Sequence, residues 1–161
     1  TRVLDGCAGL GGKTIITSFP AYDAASSVVK LLEQSPDPVT AAMSLAGFVS
    51  QRLIRQLCAT CKKSIETPPE LAERLKDSLV TPTCAQAVGC DACQNTGFSG
   101  RLLVHEFIPV SSVLRQMMIN RQSYQDFCQL ARKDGILSLE QQVLDLVVRG
   151  ETSYDEFLRF F

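Results

Sequence analysis

The sequence predicts an α/β fold with a metal-clipped segment in its middle and a helical end. Three observations predict it. Cys58-Ala-Thr-Cys61 and Cys90-Asp-Ala-Cys93 are two C-x-x-C knuckles with 28 intervening residues (62 to 89), four thiolates in the arrangement a tetrahedral zinc site requires. β-Rich runs at Thr14–Phe19 and Arg101–Ile108 stand on either side of helical patterns. The last third carries four short amphipathic patterns, each behind a capping residue.

Composition narrows the function classes. With 161 residues, 45% hydrophobic, a folded chain buries roughly 70% of its extended surface, enough for one compact domain or one with a small satellite. Sixteen basic and seventeen acidic residues leave a net charge of −1 with no long basic run, so no phosphate-tracking surface for nucleic acid is expected. No window reaches the roughly 20 apolar residues of a membrane span, and no charged-then-apolar leader opens the chain. A soluble chain is expected. Starting at Thr1 rather than Met is the expectation for a piece of something longer. Seven cysteines, an odd number with four in knuckles, point to a reducing compartment and a metal rather than a disulfide framework.

Cys7-Ala-Gly-Leu-Gly-Gly12-Lys13-Thr14 imitates a phosphate-binding loop. It has Cys7 where the pattern needs its first glycine, and it leads into a β-rich run rather than a helix. A glycine stop feeding a buried strand at Thr14–Phe19 is the expectation there, ended by Pro20. Asp23 is the N-cap of a helix through Leu32. Asp37 and Pro38 start a second helix, and the spacing of Met43, Ala46, Val49 and Leu53 extends it to about Leu53 with that stripe buried. Its small residues, Gly47 among them, make it a candidate surface for neighbouring copies.

Lys62 and Lys63 follow the first knuckle, where they either offset the charge of a thiolate site or are simply solvated. Thr67-Pro-Pro-Glu70 has the form of a capping box before a short helix at Leu71–Leu75. Cys84 has no paired thiol and reads as a lone buried one. Gly97 and Gly100 mark a tight return of the chain into the strand Arg101–Ile108. His105, the only histidine, is expected as a half-buried packing residue on that strand. Ser111, Ser123, Ser138 and Ser153 open the last helices, and Gly150 ends one of them. The residues point to no catalytic group.

Three sets of residues carry a family resemblance. They are Gln51-Arg-Leu-Ile-Arg55-x-Leu-Cys58-x-x-Cys61, Gly89-Cys90-x-x-Cys93-x-x-Thr96-Gly97-Phe98-x-Gly100-Arg101, and Gly150-Glu-Thr-Ser153. From about Gly12 onward the chain resembles the C-terminal part of the traffic ATPases of type II secretion and type IV pilus assembly, the GspE, PulE and PilB proteins. The resemblance implies the C-terminal half of a RecA-like P-loop ATPase domain (1–56), a tetracysteine zinc subdomain (57–101) and a helical C-terminal subdomain (102–161). It further implies a cytoplasmic hexameric ring, peripheral at the inner membrane, in which ATP hydrolysis drives a membrane platform protein. ATP and Mg2+ would belong to the parent protein, because neither Walker A nor Walker B is in this chain. Pro20 occupies the place of the family's histidine-box histidine, and a proline ring offers no donor or acceptor to replace an imidazole. Whether the parent hydrolyses ATP is therefore open.

The functions that follow are three. The first is the zinc-bearing portion of a secretion or pilus ATPase-like protein, with Cys58, Cys61, Cys90 and Cys93 holding a structural zinc. The second is a stand-alone zinc-ribbon module that docks a protein partner without ATPase activity. The third is a thiol–disulfide switch at the knuckles.

Overall fold

The computed structural model describes residues 14–75 and 83–161. The glycine-rich stretch from Cys7 to Lys13 lies outside them. The chain divides into two compact units, one made of the residues up to Gln51 with His105–Ser138, the other of Arg52–Val104 with Leu139–Phe161. In chain order the elements are α1 (Ala24–Gln34), α2 (Pro38–Ser44), β1 (Gly47–Leu57), β2 (Lys63–Ser64), α3 (Pro69–Arg74), β3 (Ala85–Gln86), β4 (Phe98–Pro109), α4 (Ser112–Ile119), α5 (Tyr124–Lys133), α6 (Leu139–Val148) and α7 (Tyr154–Leu158). β1 pairs with β4 in one two-stranded sheet and β2 with β3 in another. No helix among the described residues is long and apolar enough to cross a membrane.

The first unit buries Val28, Leu31 and Leu32 of α1 with Phe48, Ile108, Leu114, Met118 and Phe127. Capping residues begin its helices as their chemistry requires. The Asp23 carboxylate accepts from Ser26 N–H, Asp37 from Val39 and Thr40, Ser111 from Leu114, and Ser123 from Asp126. Helix ends are also held from a distance by charged side chains that the sequence pattern does not reveal. Buried Glu106 accepts the Ala24 N–H at 2.9 Å at the start of α1, and burial pushes its carboxyl pKa up. Arg121, at φ 50, donates to the carbonyls of Leu32 (2.8 Å) and Ser35 (3.2 Å) at the end of α1. Arg115 does the same for the carbonyls of Ala42 and Leu45 at the end of α2. Each places charge where the helix dipole favours it.

Two expectations for this unit fail. Residues 14–20 form no strand and are exposed. A β-prone run becomes a strand only by pairing, and among the described residues no strand pairs with it. The second helix stops at Ser44, and the chain from Gly47 is strand. The stripe read as buried is exposed instead, at 66% for Met43, 60% for Val49 and 54% for Leu53. The buried positions are Phe48, Ser50 and Ile54, which follow the two-residue period of a strand. Gly47 is thus a strand residue, and an added Cβ would lie 2.6 Å from the Phe107 ring. Gly47→Ala would stabilise an exposed helix by about 1 kcal/mol. In this strand it is expected to destabilise by about 1 kcal/mol through overpacking, as read from the midpoint of urea unfolding.

The second unit buries Ile54, Leu71, Cys84, Val104, Leu139, Val143, Val147 and Phe157. Cys84 is a lone buried thiol, as the sequence implies. α3 forms where expected, but its N-cap is Pro68, with no side-chain bond, so the Thr67 capping box is not made. His105 is on the exposed side of β4 rather than half-buried, because it alternates with buried Val104 and Glu106. α6 ends before Gly150, whose φ of 64 closes the turn.

Candidate metal centre

Both knuckles fold as tight turns, for the same reason. In the first, the N–H groups of Cys61 (3.3 Å) and Lys62 (3.0 Å) bond to the Cys58 carbonyl; in the second, those of Cys93 (3.2 Å) and Asn95 (2.9 Å) bond to the Cys90 carbonyl. A two-residue spacer closed this way turns both sulfurs of a knuckle to one side. The knuckles are brought together by the antiparallel pairing of Lys63 with Gln86 and of Ser64 with Ala85, extended by Ile65 N–H to the Cys84 carbonyl at 2.9 Å. A second tie runs from Cys58 N–H to the Gly97 carbonyl at 3.0 Å. Gln94 and Asn95, both left-handed, then Gly97 at φ 75, reverse the chain after Cys93 and send it into β4.

The four Sγ atoms of Cys58, Cys61, Cys90 and Cys93 lie within 4.8 Å of one another. Individual separations are 4.0 Å for Cys58–Cys90, 3.8 Å for Cys61–Cys93 and 3.7 Å for Cys90–Cys93. A tetrahedron with zinc–sulfur bonds of about 2.3 Å has edges of about 3.8 Å, and these three separations are close to that length. Among the described residues no other group of three or more ligand-type side chains converges. Cys84 and His105 are not part of it.

Backbone N–H groups serve the sulfurs. Cys90 and Gly97 each donate to Cys93 Sγ at 3.2 Å, and Gly89 donates to Cys61 Sγ at 3.4 Å. Burial works against a thiolate at Cys93, but these donors outweigh it and draw its pKa down to about 6. Cys61 is pushed up to about 11, first by burial and then by the neighbouring thiols. Cys58 is lowered, chiefly by the Thr60 N–H. Four sulfurs this close do not all ionise on their own account, and a divalent cation is the charge that lets them. Four thiolates around a 2+ ion would carry about −2, and the N–H groups at Cys61 and Cys93 would offset part of it. The Lys62 Nζ donates to the Gly150 carbonyl at 2.8 Å, and Lys63 sits exposed in β2.

Gly97 fixes this geometry. An added Cβ would fall 2.6 Å from the Ala87 Cβ and 3.1 Å from its Cα, at a backbone angle that L-residues avoid. Gly97→Ala is expected to cost about 2 kcal/mol and to weaken metal binding about tenfold, the latter read by competition with a chromophoric chelator.

Beside the cluster is a constellation that sequence reasoning missed. Glu156 is fully buried, and Arg55 donates to it through Nε (2.8 Å), Nη2 (2.5 Å) and its backbone N–H (3.2 Å). The Arg55 guanidinium lies 4.1 Å from the centre of the Phe98 ring, and Thr152 Oγ1 donates to the Arg55 carbonyl at 2.8 Å. Burial raises the Glu156 pKa, but the Arg55 bonds overcome this and hold it below the ordinary carboxylate range. Ser153-x-x-Glu156 has the spacing of a capping box. Only its first half forms, with Ser153 accepting the Glu156 N–H, because the carboxylate is committed to Arg55.

The profile of the Type II/IV secretion system protein family matches residues 7–159. The type IV pilus assembly ATPase PilB of Thermus thermophilus is 29% identical over 154 residues, 94% of this chain and 17% of that protein. A putative type II secretion system protein E of Escherichia coli is 30% identical over 153 residues, 94% of this chain and 31% of that protein. The type IV pilus assembly ATPase PilB of Myxococcus xanthus is 32% identical over 155 residues, 92% of this chain and 27% of that protein. The chain spans less than a third of the length of these relatives. Over nearly all of its own length, then, this chain belongs to the Type II/IV secretion system protein family.

Proposed function

We propose that this chain is the zinc-bearing C-terminal portion of a secretion or pilus-assembly ATPase-like protein. The observation that carries the reading is the convergence of the Cys58, Cys61, Cys90 and Cys93 sulfurs within 4.8 Å of one another inside a chain of this family. A bound zinc supplies a structural cross-link, and four thiolates leave it no open position for substrate or water. The protein's own part is to hold the knuckles closed, through the β2–β3 pairing and the N–H groups of Gly89, Cys90 and Gly97.

In this reading the residues up to 56 are the C-terminal part of a RecA-like nucleotide-binding domain, 57–101 are the zinc subdomain and 102–161 the helical end. The exposed β-prone run 14–19 supports it, since such a run lacks only neighbouring strands, and the relatives carry more than two thirds of their length outside the match. Nucleotide and Mg2+ chemistry belong to that remaining length, because this chain holds no Walker motif and has Pro20 in the histidine-box position. A hexameric cytoplasmic ring, peripheral at the inner membrane and acting on a platform protein there, is the assembly proposed for the parent.

Metal content tests the first half of this reading. About one zinc per chain after purification in reducing buffer is expected; metal-free protein that also fails to take up added zinc overturns it. Deleting the gene tests the second half, with loss of secretion or of surface pili as the expected phenotype. A zinc-loaded protein whose deletion leaves both intact would instead identify a stand-alone protein-docking module.

A further inference from the structure

The segment Gly150–Glu156 is gripped by the residues that flank the metal cluster, and in register. Lys62, next to Cys61, holds the Gly150 carbonyl at 2.8 Å. Leu57, just before Cys58, donates its N–H to the Glu151 carbonyl at 2.9 Å. Arg55 takes Thr152 through its carbonyl and Glu156 through its guanidinium. The second knuckle contributes from the other side. Gly97, whose N–H bonds to Cys93 Sγ, accepts from Cys58 N–H and places the next residue, Phe98, against the Arg55 guanidinium. Each of these contacts lies within five residues of a cluster cysteine, beside the hold that the carbonyls of Leu146 and Val147 and the core packing of Phe157 exert on the same segment.

We propose that metal occupancy controls the docking of the C-terminal segment 150–161, with Lys62 the strut that joins knuckle to segment. The inference rests on the zinc reading above and goes beyond a cross-link of the two knuckles. With the knuckles closed, Lys62, Leu57 and Arg55 stand at the spacing of Gly150, Glu151 and Thr152; with them open, those donors and acceptors lose their common frame. The aromatic stack Tyr154–Phe157–Phe161, with centroids 5.6 and 5.4 Å apart, and the buried Glu156 carboxylate are then released to solvent or to a partner. Lys62 is a positioning residue. Because coupling is reciprocal, what the metal does for docking the docked segment does for metal affinity.

Hydrogen exchange on the full chain tests the proposal, using Lys62→Met and Lys62→Arg beside the unaltered protein, all zinc-loaded. In Lys62→Met the zinc stoichiometry is expected to stay at one per chain. Exchange across 150–156 is expected to rise at least tenfold and zinc affinity to fall about tenfold, the scale of outer-shell changes at metal sites. Lys62→Arg is expected to restore both. Titrating zinc out of the unaltered protein is expected to release 150–161 in step with the knuckles, whether or not the rest of the unit follows. Unchanged exchange at 150–156 in zinc-loaded Lys62→Met overturns the proposal, as does protection of 150–161 that survives metal removal. A protein that takes up no zinc overturns the metal reading itself and the proposal with it, an outcome that the metal content reports separately.

Discussion

Replacing Cys93 with serine is expected to unfold the second unit at 25 °C and leave the first folded. Structural zinc supplies on the order of 10 kcal/mol to small domains. The whole stability of a domain is about 5–15 kcal/mol, so removing that contribution is decisive. The second unit is short, and small cores are marginal without a staple. Its core of Ile54, Leu71, Val104, Val143, Val147 and Phe157 has no residue in common with the core centred on Phe127. All four cysteines of the cluster fall within Arg52–Val104. Cys93 is the most informative of the four cysteines to replace, because its sulfur accepts from two backbone N–H groups and touches two other sulfurs. Amide exchange should rise throughout 139–158 while 112–133 stays protected. A strong chelator should reproduce the pattern in the unaltered protein. A Cys93→Ser protein with undiminished protection in 139–148 would show that the cluster is not a folding element.

Much of this site was legible because its chemistry is local. Two residues between cysteines, a pair of glycines after the second knuckle and a lone Cys84 state their roles through spacing, and the sulfurs converge as that spacing requires. Helix starts at Asp23, Asp37, Ser111 and Ser123 were legible for the same reason, since a cap acts over three residues. What failed was non-local. The run from Ala41 to Leu53 fits a helical period by chance, and only the partner strand β4 decides that Phe48, Ser50 and Ile54 face inward. Thr14–Phe19 has strand chemistry without a neighbour to pair with among the described residues. Arg55 and Glu156, 101 residues apart, leave no mark in spacing. Their traces are a capping-box acid that the structure diverts, just after the Gly-Glu-Thr-Ser of the family resemblance, and the place of Arg55 in the first motif of that resemblance.

That diverted acid carries the other large effect. Arg55→Met is expected to destabilise the second unit by about 3 kcal/mol, the low end of the penalty for breaking a buried pair, because 43% of the Arg55 side chain is exposed and water can reach part of the vacated space. Glu156 remains fully buried, and the nearest remaining cation is Arg159 at 3.6 Å. Replacing both, as Arg55→Met with Glu156→Leu, is expected to recover most of the loss, since no charge is then left without a partner. The pH dependence separates this account from simple loss of packing against Phe98. In the unaltered protein the folded-state pKa of Glu156 is depressed, so its contribution is complete above the unfolded value of about 4.3 and is lost as pH falls through the folded one. In Arg55→Met the two guanidinium bonds are lost while burial stays, opposed only by the backbone N–H of residue 55 and by Arg159, so the folded pKa is expected to rise above the unfolded value. The fold then binds the proton more tightly than the unfolded chain does, and the variant gains stability as pH falls from 7 toward 5, where the unaltered protein gains none from this residue. Urea midpoints at the two pH values measure it. A variant that loses the same stability at both would place the role of Arg55 in its stacking on Phe98 and not in its charge.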